Sequence, residues 1–235
     1  LHTQYTFISP DLPSDDWRSL QLAGRISGTI KNFDVAMSYY YGYNKFPFFD
    51  KSLHHLSQDT MYLNIQKRYS RIQSVGGDFA TVVADFGMHG EIAYYITEDI
   101  DDGALADGPF LRFIVGLDRT IFNVIGDNNI FIIFEWIHEY SFTGQEFYST
   151  DIKHLFQNAL FSRLQLDIGA FANLYIQGVY NIDTQDLYIQ PKFDYKIADG
   201  LTLEALIDVL NGKTSTFFGN YNDNSRFQFK LKYNF

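Results

Sequence analysis

The chain of 235 residues contains no cysteine. That excludes a disulfide scaffold, thiolate metal ligands and cysteine nucleophiles. Prolines number 5 and histidines 6. Basic side chains are outnumbered, 18 Lys and Arg against 28 Asp and Glu, and the net charge of −10 argues against nucleic acid as a partner, since phosphate binding needs concentrated Lys and Arg. No apolar run approaches the roughly 18 residues of a membrane helix; the nearest, IFIIF at 130–134, is followed at once by Glu135. Mean hydropathy is an unremarkable −0.16. The opening LHTQYTFISPDLPSDDW has neither the basic start nor the small-residue cleavage site of a signal peptide. With no initial Met, it is expected to open a mature, processed or truncated product.

What the chain has in abundance is aromatics, 18% of its residues with 17 Tyr and 23 Phe, and they sit in strict alternation. In RFQFKLKYNF (226–235), Phe227, Phe229, Leu231, Tyr233 and Phe235 alternate with Gln228, Lys230, Lys232 and Asn234. A strand has a side-chain period of two, so one face is apolar and the other polar. FDVAMSYYYGY, LFSRLQLDIG, LYIQPKFDYKI, LTLEALIDVL and NLYIQGVYNI read the same way, and helical spacing fits none of them as well. The expected fold class is all-β. Short turn signals at 31–32, 85–87, 126–129, 169 and 198–200 alternate with longer polar connections at 43–59, 97–109, 142–152 and 211–224. That rhythm is the habit of a meander with tight turns at one end and loops at the other.

Alternation suits either a soluble sandwich with its apolar face inward or a transmembrane barrel with its apolar face toward lipid. Three features favour the barrel. The strands look about 10 residues long, enough to cross a bilayer at a tilt. Mid-strand positions of the polar face carry full charges, namely Arg25, Asp78, Glu91, Arg112, Asp118, Glu135, Arg163, Asp167, Lys192, Asp194, Glu204, Asp208 and Lys230. These are the candidate pore-lining residues, since a watery lumen accepts charge. Aromatics also gather at strand ends (Tyr39, Tyr41, Tyr43, Tyr94, Trp136, Tyr140, Tyr233, Phe235), where an interfacial girdle belongs.

The closing strand resembles the C-terminal signature of Gram-negative outer-membrane proteins, and segments such as RIQSVGGDFATVVADFGMHGEIAYY and VGLDRT resemble porin-like barrels. The resemblance implies that Phe227, Phe229, Leu231, Tyr233 and Phe235 form an assembly signal read by the barrel-assembly machinery. It also implies residence in the outer membrane, among its lipid and lipopolysaccharide. The expectation is a transmembrane antiparallel meander β-barrel of about 11–12 strands over residues 17–235, with 1–16 as an N-terminal extension or loop.

Walking back from the C terminus gives about eleven strands if 61–83 is one long projecting strand. An even barrel of about twelve would need HTQYTFI (2–8) as another. Otherwise the chain is the C-terminal part of a larger barrel.

No catalytic set emerges, so the chain is not expected to be an enzyme. His54 and His55, beside Asp50 and Asp59, lie in a loop, where adjacent histidines seldom converge on one metal. Glu98, Asp99, Asp101, Asp102 and Asp107 miss the EF-hand spacing. The expected role is passive diffusion of small hydrophilic solutes or ions, with weak cation preference and no cofactor or metal. The alternatives are a structural barrel whose lumen holds a protein partner, such as an electron-transfer or secretion component, and, behind it, a rim-sited hydrolase. A homo-oligomer is compatible with either.

Overall fold

The computed structural model describes residues 2–55, 60–97, 108–142 and 155–234. Phe235 and the acidic stretch from Glu98 to Asp107 lie outside them. The strands are β1 (His2–Asp11), β2 (Leu22–Ile30), β3 (Phe33–Tyr43), β4 (Phe48–His55), β5 (Thr60–Arg68), β6 (Arg71–Val83) and β7 (Phe86–Thr97). They continue as β8 (Phe110–Ile125), β9 (Asn128–Ser141), β10 (Asn158–Ile168), β11 (Ala172–Asn181), β12 (Asp186–Ala198), β13 (Leu201–Asn211) and β14 (Arg226–Tyr233). Two-residue turns close several hairpins, with positive φ at Lys31, at Ala84 and Asp85, and at Gly200 (+77°).

An 11-stranded sheet runs in the order β14-β13-β12-β11-β10-β9-β8-β7-β6-β3-β2. Every neighbouring pair in it is antiparallel. The all-β meander expected from alternation is therefore present. Its closure is not: among the described residues β2 and β14 each pair on one side alone, so hydrogen bonds do not seal the sheet into a barrel. An odd count of antiparallel strands also leaves these two edges running in the same direction.

The expected single strand over 61–83 is corrected to two. β5 ends at Arg68 and β6 starts at Arg71, and β5 belongs to a separate 3-stranded sheet, β1-β5-β4. The stretch 43–59, expected as a loop, contains β4, which pairs with β5 as β3 pairs with β6. The two pairings follow one another along a single long hairpin. The break falls where four residues (44–47) face two (69–70), and Asn44 N donates to Ser70 O at 2.9 Å across it. Unbroken alternation in one strand could not reveal a mismatch residing in its partner. HTQYTFI is likewise a strand, but it pairs parallel with β5 instead of entering the larger sheet.

Burial is inverted relative to a soluble β-protein. Ile26 (82% exposed), Met37, Val82, Phe122, Phe227, Phe229 and Leu231 are all exposed, while Glu139, Glu204 and Asp208 are buried. Total accessible surface is 15684 Å² for 27.2 kDa, where a folded monomer of that mass exposes about 11,000 Å².

Beyond β13 the chain folds back over the polar face through a four-residue helix, α1 (Phe217–Asn220). Asp186, fully buried, fixes it: the carboxylate accepts from Phe218 N at 2.8 Å, from Asn181 Nδ2 at 3.0 Å and from the Thr184 hydroxyl. Phe218 stacks on Tyr188 with centroids 5.9 Å apart. Asp186→Ala strands these donors in a buried site, which costs about 1–3 kcal/mol. The expected outcome is a lower urea midpoint with proteolytic cleavage newly appearing within 212–225, read by mass spectrometry of the fragments.

Candidate functional site

Because the registers keep side-chain parity, every polar-face residue shares one surface from β2 to β14. All thirteen charged residues singled out from the sequence lie on it. Arg25 opposes Ser38; Asp78 lies between Ala36 and Glu91; Glu91 also faces Ile114; Arg112 lies between Ala93 and Glu139. Asp118 and Arg163 flank Ile133, and Glu135 faces Phe161. Farther along, Asp167 opposes Asn173, Asn173 opposes Asp194, Asp194 opposes Glu204, and Glu204 opposes Lys230; Lys192 opposes Leu206, and Asp208 opposes Arg226. Phe227, Phe229, Leu231 and Tyr233 occupy the opposite, apolar face, each more than 60% exposed.

The charges form local networks along the sheet. Glu204, almost fully buried, accepts from three lysines: Lys232 at 2.7 Å, Lys192 at 3.0 Å and Lys230 at 3.1 Å. Lys192 also reaches Asp194 at 2.9 Å. Asp208 gathers Arg226 Nε at 2.8 Å, Tyr188 Oη and Gln190 Nε2 both at 2.7 Å, and Gln228 Nε2 at 3.3 Å. On the far side Arg25 spans β3 to meet Asp78 at 2.9 Å. The Arg112 guanidinium pairs with Glu139 through Nε at 2.7 Å and through Nη2. His89 lies 2.8 Å from Glu135 Oε1 and 3.8 Å from Asp118 Oδ1. At the tight-turn end, Lys196 bonds Asp199 at 2.8 Å and holds its carboxyl below the ordinary aspartate value.

His89 reaches Glu135 from two strands away because β8 carries Gly116 between them. A Cβ there would collide with the His89 ring. Alternation could not have shown this pairing, which depends on register between strands distant in sequence. Arg226, by contrast, was available to the same parity rule that selected Lys230.

The networks are unequal in sign. From β2 to β9 the polar face carries Asp34, Asp78, Glu91, Asp118, Glu135 and Glu139 against Arg25 and Arg112, with His89 among them. Asp78 and Glu91 stand directly opposite one another. From β10 to β14, setting aside Asp186 under the helix, Arg163, Lys192, Lys196, Arg226, Lys230 and Lys232 outnumber Asp167, Asp194, Glu204 and Asp208. One end of the sheet is thus an acidic wall and the other a basic one.

Two cavities open on the polar face at the long-loop end. One, about 420 Å³, lies beneath 44–46 and is lined by Tyr40, Ile72, Tyr95, Phe110 and Arg112. The other, about 600 Å³, lies between α1 and the strands and is lined by Tyr188, Asp208, Phe217, Tyr221 and Arg226. Among the described residues no group of three His, Asp or Glu side chains is arranged to hold a metal.

No protein-family model matches the chain, and neither a curated protein nor a solved structure is significantly similar to it.

Glu204→Ala leaves Lys192, Lys230 and Lys232 crowded without their shared acceptor. The expected loss is about 1–2 kcal/mol in urea unfolding. It should shrink as NaCl is raised, because salt screens lysine–lysine repulsion; a loss independent of salt would mean that the carboxylate acts by packing alone.

Proposed function

We propose that this chain is an outer-membrane, porin-like β-barrel protein that passes small hydrophilic solutes or ions by diffusion along its polar face. The observation that carries the reading is the inverted burial. A sheet whose Ile, Val, Leu and Phe side chains are broadly exposed, while Glu139, Glu204 and Asp208 are buried in ion pairs, lacks a home in water. Soluble monomers rarely expose contiguous apolar patches beyond a few hundred Å², whereas this face presents exposed Ile, Val, Leu and Phe on strand after strand. In lipid the same arrangement is favourable, since backbone groups are paired within the sheet and the charges are turned away from hydrocarbon.

The rims of the apolar face support the same setting. Tyr41, Tyr43, Tyr94, Trp136, Tyr140 and Tyr180 lie toward the long-loop end, and Phe33, Phe86, Tyr195 and Tyr233 toward the tight-turn end. Rings at those levels suit the two bilayer interfaces. The outer membrane itself is proposed from the alternating C-terminal strand, and the barrel is proposed to close across the β2 and β14 edges. Assembly machinery, outer-membrane lipid and lipopolysaccharide are the partners that follow.

The polar face supports diffusion over chemistry. Among the described residues, the ion pairs that cross the large sheet link strands that are neighbours or next neighbours, so a watery path can lie between the acidic and basic walls. Their imbalance supports a modest cation preference.

Single-channel conductance of the refolded chain in a planar bilayer tests this. Steps of defined size are expected, with a reversal potential in a salt gradient on the cation-selective side. Glu91→Gln with Glu135→Gln should move that potential toward the anion-selective side while preserving the steps. Silence from a folded, inserted protein would overturn the open-pore reading in favour of a filled lumen.

A further inference from the structure

Resting on the membrane reading above, we infer that Arg119 is a docking site for the phosphate of a phospholipid in the leaflet at the tight-turn end. On the apolar face of the 11-stranded sheet, Arg71 and Arg119 are the two Lys, Arg, Asp or Glu residues among those described. An isolated cation on such a surface is costly unless something satisfies it, and the two arginines are satisfied differently.

Arg71, at the long-loop end, is held by the protein. Its guanidinium lies 4.4 Å from the Tyr43 ring centroid and 5.0 Å from that of Tyr41. It donates to Leu20 O at 3.2 Å and to Arg18 O. Arg119 has no comparable partner. Its guanidinium lies 4.7 Å from the centroid of Phe86, at the β6–β7 turn, and Nε is buried without an acceptor. Its strand partner is Ile132. No carboxylate or carbonyl among the described residues takes its remaining N–H groups. The Phe86 ring pre-sets the guanidinium, and an oxyanion in the surrounding medium can receive it in the fork geometry that suits phosphate.

The position along the strands identifies the source of that oxyanion. β6 spans 13 residues from Arg71 to Val83, which pairs with Phe86, the residue beneath Arg119. At roughly 3.3 Å per residue that is ~40 Å along the strand, or about 30 Å along the normal of a bilayer crossed at ~45°. The two arginines therefore bracket a band as deep as a hydrocarbon core, and Arg119 stands at headgroup level. A lipid phosphate is concentrated and oriented there; free phosphate is neither.

The test is native mass spectrometry of the full chain released from vesicles of phosphatidylethanolamine and phosphatidylglycerol, beside Arg119→Gln, Arg119→Lys and Arg71→Gln. Protease protection of the inserted protein is measured in parallel. The wild type is expected to retain a phospholipid adduct, reduced at least about fivefold in Arg119→Gln, partly restored by Lys and unchanged in Arg71→Gln. Excess inorganic phosphate should not displace it. Equal retention in wild type and Arg119→Gln, both protease-protected, would overturn the site while leaving the membrane reading intact. Displacement by inorganic phosphate would overturn the lipid assignment in favour of a free anion. Failure of the wild type to insert would remove both.

Discussion

Everything in this structure depends on the parity of the strand ladder. Alternate residues go to opposite faces, and eleven strands keep the same parity through successive hydrogen-bonded registers. Slipping one pairing by a single residue would bring a row such as Gln228, Lys230 and Lys232 onto the apolar side and Phe227, Phe229 and Leu231 onto the polar side. The ion pairs reinforce this specification. Glu204 can collect lysines from β12 and β14 together because Asp194, Glu204 and Lys230 fall in one cross-strand row. Electrostatics thus supplies register information to a sheet whose apolar face, rich in interchangeable Ile, Leu, Val and Phe, specifies it weakly.

The same parity explains what sequence reading could reach. Side-chain direction is a property of one strand, so the faces of Arg25, Asp78, Glu91 and the rest were legible, as was the eleven-strand tally. Partner identity belongs to pairs of strands. His89 with Glu135 across Gly116, and Arg25 with Asp78 across β3, required registers that no single segment encodes. The interruption between β5 and β6 was hidden for a related reason. Both runs alternate without a fault, and the fault consists of four residues facing two. α1 was unreadable too. Four residues carry no helical period, and the helix exists because Thr216 caps Gly219 N at 3.3 Å and Asp186 receives Phe218 N.

The two ends of the sheet do different work. At the tight-turn end the connections are minimal, and positive φ at Lys31, Ala84, Asp85 and Gly200 is what allows so few residues to reverse the chain. At the long-loop end, chain returns onto the structure. The 44–46 segment and α1 cover parts of the polar face, while 18–20 is fastened on the apolar side by Arg71. A solute in the proposed pore would meet these coverings at the long-loop end. In the proposed pore, discrimination by size therefore belongs to the long-loop end, and discrimination by charge belongs to the ladder beneath it.

The edges set a further condition on the proposed barrel. β2 and β14 run in the same direction, so joining them directly requires one parallel ladder in an otherwise antiparallel sheet. One additional strand running against both would restore uniform pairing and bring the count to twelve, the even number usual in bacterial barrels. β1 does not supply it in this arrangement. It pairs parallel with β5, which continues along the hairpin of β6, so it runs in the same sense as the two edges and would have to reverse to fit between them. An apolar face can be exposed to lipid, but two unpaired backbone edges cannot, because each unsatisfied group in hydrocarbon costs several kcal/mol. The membrane reading and the open seam are therefore compatible only if something closes the seam, by a parallel ladder or by one more strand.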